Sequence, residues 1–137
     1  MPDVEKKVVL RFRDGRIVKG LTYNFKPNRE IFHVTEAHDE KKILEVSMSL
    51  LKAVFFVKTL EGNKDHRSPE DFSMESLKNV RGLKIKIAFS DGEVMYGKIH
   101  GYTRHMQGFF ILPADKESNI ERAFVIREST VEVETFG

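Results

Sequence analysis

The sequence has no cysteine and no tryptophan, only four prolines, and no apolar run approaching the ~18 residues that cross a bilayer as a helix. Without cysteine there can be no disulfide framework, thiolate nucleophile or cysteine-ligated zinc. The start, Met1-Pro2-Asp3-Val4-Glu5-Lys6-Lys7, is charged and lacks the apolar core of a secretory signal, so a cytoplasmic, non-membrane protein is expected. Net charge is scarce too. The 23 Lys and Arg residues nearly balance 21 Asp and Glu, leaving +2, well short of the basic excess of a strongly nucleic-acid-coated protein. The balance is uneven, with eight basic and three acidic residues in 1–29 but eleven and twelve in 63–137. Any polyanion-binding surface is therefore expected on the first part of the chain rather than the second.

What the chain does have is material for a core. Of its 137 residues 40% are hydrophobic, including 11 Phe, and 32% are charged, the profile of a folded protein of one ordinary domain or two very small ones. Aligning the chain with itself separates these readings. With Asp14-Gly15 placed over Asp91-Gly92, a shift of 77 residues, positions 8–34 match 85–111 without a gap. Phe12, Asp14, Gly15, Gly20 and Phe32 then meet Phe89, Asp91, Gly92, Gly97 and Phe109.

The hydrophobic pattern repeats with them. Val8, Leu10 and Phe12 alternate with more polar positions, as do Ile85, Ile87 and Phe89, so each copy opens with a strand buried on one face. Asp-Gly supplies a hairpin turn that needs positive φ. A second strand follows, with Val18, Gly20 and Thr22 on one face matched by Met95, Gly97 and Ile99. Its internal glycine marks a bend or a close backbone approach, predicting a strand that curls to close a barrel with Phe25 or Tyr102 as its plug.

After a loop, Lys26-Pro27-Asn28-Arg29 or Thr103-Arg104-His105-Met106, each copy continues with three short apolar runs, giving five strands per copy. Between the copies, Ser68-Pro69-Glu70-Asp71 carries a capping serine, proline at the first helical position and an acid three residues after the cap. The expected organisation is a mostly β chain of two tandem five-stranded barrels, 1–62 and 83–137, with a linker at 63–82 holding a short helix near 69–80.

The run Leu10-Arg11-Phe12-Arg13-Asp14-Gly15-Arg16-Ile17-Val18-Lys19-Gly20 resembles the first motif of Sm-like proteins, SH3-like small barrels, as does Asp91-Gly92-Glu93-Val94-Met95-Tyr96-Gly97-Lys98-Ile99. The resemblance implies RNA held in a ring of subunits, by an Asp-x-x-x-Asn segment after the second strand and an Arg-Gly turn between the fourth and fifth. In the second copy Thr103-Arg104-His105-Met106-Gln107 stands at the first place and Arg122-Ala123 near the second, so Arg104, His105, Gln107 and Arg122 become ligand- or RNA-binding candidates. The first copy has no Arg-Gly equivalent. The segment Gly108-Phe109-Phe110-Ile111-Leu112-Pro113-Ala114-Asp115, with Ser118-Asn119 and Arg122-Ala123-Phe124-Val125, also resembles a motif in bacterial proteins of unassigned function.

Other features are weighed by their chemistry. Lys7, Arg11, Arg13, Arg16 and Lys19 line the outward side of the first hairpin, a stripe that could meet phosphates or simply keep a strand surface soluble. Asp14 and Asp91 are read as turn residues rather than catalytic carboxylates. His33, His38, Asp39 and Glu40 fit no standard metal spacing. No catalytic residue, metal ligand set or cofactor is assigned.

Three functions follow from this reading. The first is a non-enzymatic module whose tandem barrels bind another macromolecule, a protein partner or a second copy, through exposed strand edges. The second is RNA or single-stranded nucleic-acid binding of Sm-like type. An enzyme of unknown class is the remote third.

Overall fold

The computed structural model describes residues 5–61, 72–74, 77, 81–99, 107–114 and 118–136. They form ten strands: β1 (Lys6–Phe12), β2 (Ile17–Thr22), β3 (Ile31–Glu36), β4 (Ile43–Ser47), β5 (Leu51–Val57), β6 (Lys84–Phe89), β7 (Val94–Ile99), β8 (Gly108–Leu112), β9 (Ile120–Ile126) and β10 (Thr130–Phe136). A 3-10 turn joins β4 to β5 at Met48–Leu50, and its counterpart joins β9 to β10 at Arg127–Ser129. The helix expected near 69–80 lies mostly outside the described residues. Within that stretch Phe72 and Leu77 are buried.

Each hairpin turn is built as its sequence demands. Gly15 and Gly92 both take φ +96, and among the described residues no non-glycine has positive φ. The loop is three residues long rather than two: Gly15 N–H donates to the Phe12 carbonyl at 3.1 Å and Phe12 N–H to the Arg16 carbonyl at 2.9 Å. That is a type I turn closed by a left-handed glycine. Asp14 accepts from the Arg16 amide at 3.0 Å and Asp91 from the Glu93 amide at 2.9 Å, so both aspartates hold their own turn.

The repeat is physical as well as alphabetic. Arg13 N–H donates to Leu50 and Ser90 N–H to Ser129, both at 2.9 Å, tying each hairpin to the 3-10 turn of its own half. A Cβ at Gly20 would lie 2.3 Å from the Thr35 carbonyl oxygen, and one at Gly97 3.1 Å from that of Leu112. The glycines are therefore where the second strand of each half crosses closest to the third.

Strand pairing makes one open antiparallel sheet in the order β10-β6-β7-β8-β9-β5-β1-β2-β3-β4, where two separate barrels were expected. Each half contributes the same order, its fifth strand beside its first and its fourth at the far side. The halves join because β5 pairs on its second side with β9, from Ala53↔Val125 to Val57↔Ile120. That joint explains why every residue of β5 is buried, apolar throughout except for Lys52. Val54 and Phe56 enter a core with Leu10, Phe32, Val46, Phe124 and Ile126, while Ala53, Phe55 and Val57 enter another with Ile87, Phe109, Ala123 and Val125. Side chains alternate across a strand, so the two cores lie on opposite faces of the sheet at β5 and β9.

Candidate functional site

The seam between the halves gathers the described charged groups most deeply engaged in the fold. A register shift between Arg11 and Phe12 leaves Lys52 as the extra residue of β5, the position from which a bulge re-aims a side chain. Its side chain is 5% exposed, and its ammonium donates to Asp91 Oδ2 at 2.7 Å and Glu93 Oε1 at 2.6 Å. Arg11 donates to the same Glu93 oxygen at 3.1 Å, and the Lys52 ammonium sits 4.6 Å from the Phe89 ring centroid. Two cations of the first half thus meet two carboxylates on the β6–β7 hairpin of the second. The Lys52 hydrogen bond, ahead of the Glu93 amide, holds the Asp91 carboxyl below its ordinary value against the opposing effect of burial. Ser129, 2% exposed, closes the seat by donating to the Lys52 carbonyl at 3.1 Å.

The first half builds the same seat and fills it differently. Asp14 Oδ2 takes Arg16 Nε at 2.8 Å, and the Arg16 guanidinium lies 4.5 Å from the Phe12 ring centroid. Phe12, Asp14 and Arg16 correspond to Phe89, Asp91 and Glu93 at the shift of 77. In one half the cation over the ring is supplied locally; in the other it arrives from across the seam. Lys52 and Glu93 were not singled out in the sequence. The readable signals were a lone lysine inside Leu51–Val57 and a reversal of charge between the matched positions 16 and 93.

The basic stripe is consequently not a bare row of cations. Arg11 and Arg16 are carboxylate-paired, Lys7 donates to the Lys58 carbonyl at 3.2 Å, Arg13 donates to Ser49 at 3.4 Å, and Lys19 is exposed on β2. Beside Arg13, Asp14, Arg16, Ser49 and Leu50 opens a groove of about 260 Å3.

Of the candidates on the second half, Arg104 and His105 lie outside the described residues. Arg122 and Gln107 are described and point to separate places. The Arg122 guanidinium stacks between Phe56 and Phe110, 4.6 Å from each ring centroid, and burial lowers its pKa against the opposing charge of Glu121. Gln107 instead comes beside the Glu30 side chain of the first half, where it contributes least of the neighbours that hold that carboxyl low. Glu30 also accepts from the Ser47 hydroxyl at 2.6 Å and the Ser49 amide at 3.1 Å, and the Ser47 bond foremost holds its carboxyl below the ordinary value. His33 is fixed by Asn24 and stands 3.7 Å from Glu45. Among the described residues no three His, Asp or Glu side chains gather as a metal site, and no helix is long and apolar enough to cross a membrane.

A family of unknown function, DUF6982, matches residues 4–137, which takes in both halves and the seam between them. The chain belongs to DUF6982. No curated protein and no solved structure matches it significantly. The DUF6982 match spans the two halves together, so the seam lies inside one family unit rather than between two independent matches.

Proposed function

We propose that this DUF6982 chain is a non-enzymatic interaction module, a tandem of two Sm-like units that binds another macromolecule, a protein, through the edges of its sheet. The observation that carries this reading is the seam itself: β5 adds to β9 as a partner strand adds to a waiting edge, and among the described residues β4 and β10 are left as the outer edges of the sheet. The repeated strand order, the paired 3-10 turns and the matched glycines support reading each half as one copy of an Sm-like unit. Light scattering combined with affinity capture tests the module: a defined complex or self-assembly is expected, and a strict monomer that captures nothing refutes it. Nucleic acid is the competing partner. Fluorescence titration with single-stranded RNA at two salt concentrations would reveal it through binding that weakens as salt rises.

A further inference from the structure

We infer that the β4 edge, together with the groove beside the first hairpin, is a docking site for an extended segment of a partner protein that carries a carboxylate where the chain's own β5 carries Lys52. This inference rests on the interaction-module reading and names the place and chemistry of the contact.

The template is internal. β4 and β9 occupy equivalent positions, since Ile31 pairs with Ser47 as Gly108 pairs with Ile126. β9 already has its strand: β5 lies along it, places Lys52 in the seat formed by Asp91, Glu93 and Phe89, and buries Ser129. On the first half no described strand lies along the matching parts. Ile43 on β4 is 65% exposed, and Leu50, at the position of Ser129, is 55% exposed and lines the groove.

The occupant is set by charge. In the filled seat two carboxylates receive a lysine and an arginine. In the first-half seat position 93 has become Arg16, which already occupies Asp14 and lies over Phe12, and Arg13 is added to the lining of the groove beside it. The groove lining itself carries two guanidiniums and one carboxylate, with the Glu30 carboxylate behind it engaged by the Ser47 hydroxyl and the Ser49 amide, so at the seat a lysine would meet repulsion and an acid attraction. Along the strand, the residues of β5 opposite Val125 and Ala123 are Ala53 and Phe55, and the β4 counterparts of those partners are Val46 and Leu44. The incoming segment therefore presents an acid followed at the next and third-next positions by apolar side chains.

The chain's own second edge does not meet that description. β10 pairs with β6 as β5 pairs with β1, which puts Val131 at the place of Lys52 and Glu132 and Glu134 at those of Ala53 and Phe55. A second copy docked this way would turn two carboxylates onto Val46 and Leu44, an inward-pointing charge of the kind that blocks edge-to-edge growth.

The test uses the full chain and two dye-labelled peptides of sequence 50–58, one native and one with Lys52→Glu, each with a polar tail, followed by fluorescence anisotropy. The glutamate peptide is expected to bind at least about tenfold more tightly, the preference to invert in Arg16→Glu and to shrink in Arg13→Glu, and amide exchange to slow in 43–47. Binding by neither peptide, binding without preference for sign, or protection appearing in 120–126 instead would each overturn the inference. So would a concentration-dependent dimer whose contacts are Leu44 and Val46, because the occupant would then be a second copy. Because the peptides report only on β4, a captured partner that still binds when they do not would leave the module standing and remove this site alone.

Discussion

Replacing Lys52 by methionine keeps most of the aliphatic stem in place and deletes the charge that ties the first half to the β6–β7 hairpin. Removing one partner of a fully buried ion pair costs about 3–5 kcal/mol, because the remaining charge is stranded. Here the ammonium is buried, but the Asp91 and Glu93 side chains are 50% and 33% exposed, so water can take over much of their solvation. The expected loss is therefore lower, about 2 kcal/mol, with the Arg11–Glu93 pair retained. For a chain of this size that corresponds to a melting point lower by roughly 5–8 °C. Urea unfolding at pH 7 measures it, and a double-mutant cycle with Asp91→Asn isolates the pair, with an expected coupling of about 1–2 kcal/mol. The pH dependence supplies an independent check. The folded-state pKa of Asp91 is depressed below the ordinary aspartate value, so its contribution is present above that value and lost as pH falls through the folded-state pKa. The gap between wild type and Lys52→Met should therefore narrow in acid. A variant as stable as wild type at pH 7, or a gap unchanged on acidification, would refute the account of the seam as charge-locked.

Other perturbations probe the rest of the framework. Gly20→Ala places a methyl 2.3 Å from a backbone oxygen, whereas the 3.1 Å available at Gly97 needs only a small shift; thermal melts should show a loss of more than about 2 kcal/mol for the first and about 1 kcal/mol or less for the second. Arg122→Ala removes a guanidinium stacked on two rings and should cost about 1–2 kcal/mol in denaturant unfolding, with Arg122→Lys recovering only part because an ammonium cannot stack as a plane. Glu30→Gln should flatten the acid limb of the stability profile: the depressed carboxyl contributes above the ordinary glutamate value and that contribution disappears as pH falls, so the variant and wild type converge in acid-titrated circular dichroism.

The strands were legible because their signals are local. Val8, Leu10 and Phe12 alternate, Asp14-Gly15 closes a turn, and the same pattern recurs at Ile85, Ile87, Phe89 and Asp91-Gly92. Gly20 and Gly97 announced a close backbone approach, and the third strand supplies it. The candidate site was less legible. Arg122 was singled out as a loop residue near a turn, yet it lies within β9 and its guanidinium is held between Phe56 and Phe110, partners 66 and 12 residues away in the chain. Of the basic stripe, Lys7 and Arg11 lie on β1, Lys19 on β2, and Arg13 and Arg16 in the turn between them, and the pairing of Arg11 with Glu93 depended on a hairpin from the other half.

By itself, the sequence determined that this is a β protein of two related halves, with hairpins at Asp14-Gly15 and Asp91-Gly92 and strands in the same succession, since alternation and turn chemistry act between near neighbours. Only the tertiary structure decided that β5 and β9 weld those halves into one sheet, that Lys52 and Arg11 of one answer Asp91 and Glu93 of the other, and that β4 and β10 are left as its edges. Pairing between strands more than 60 residues apart leaves no period in the chain, and a buried charge is tolerated only by partners that the completed fold brings to it.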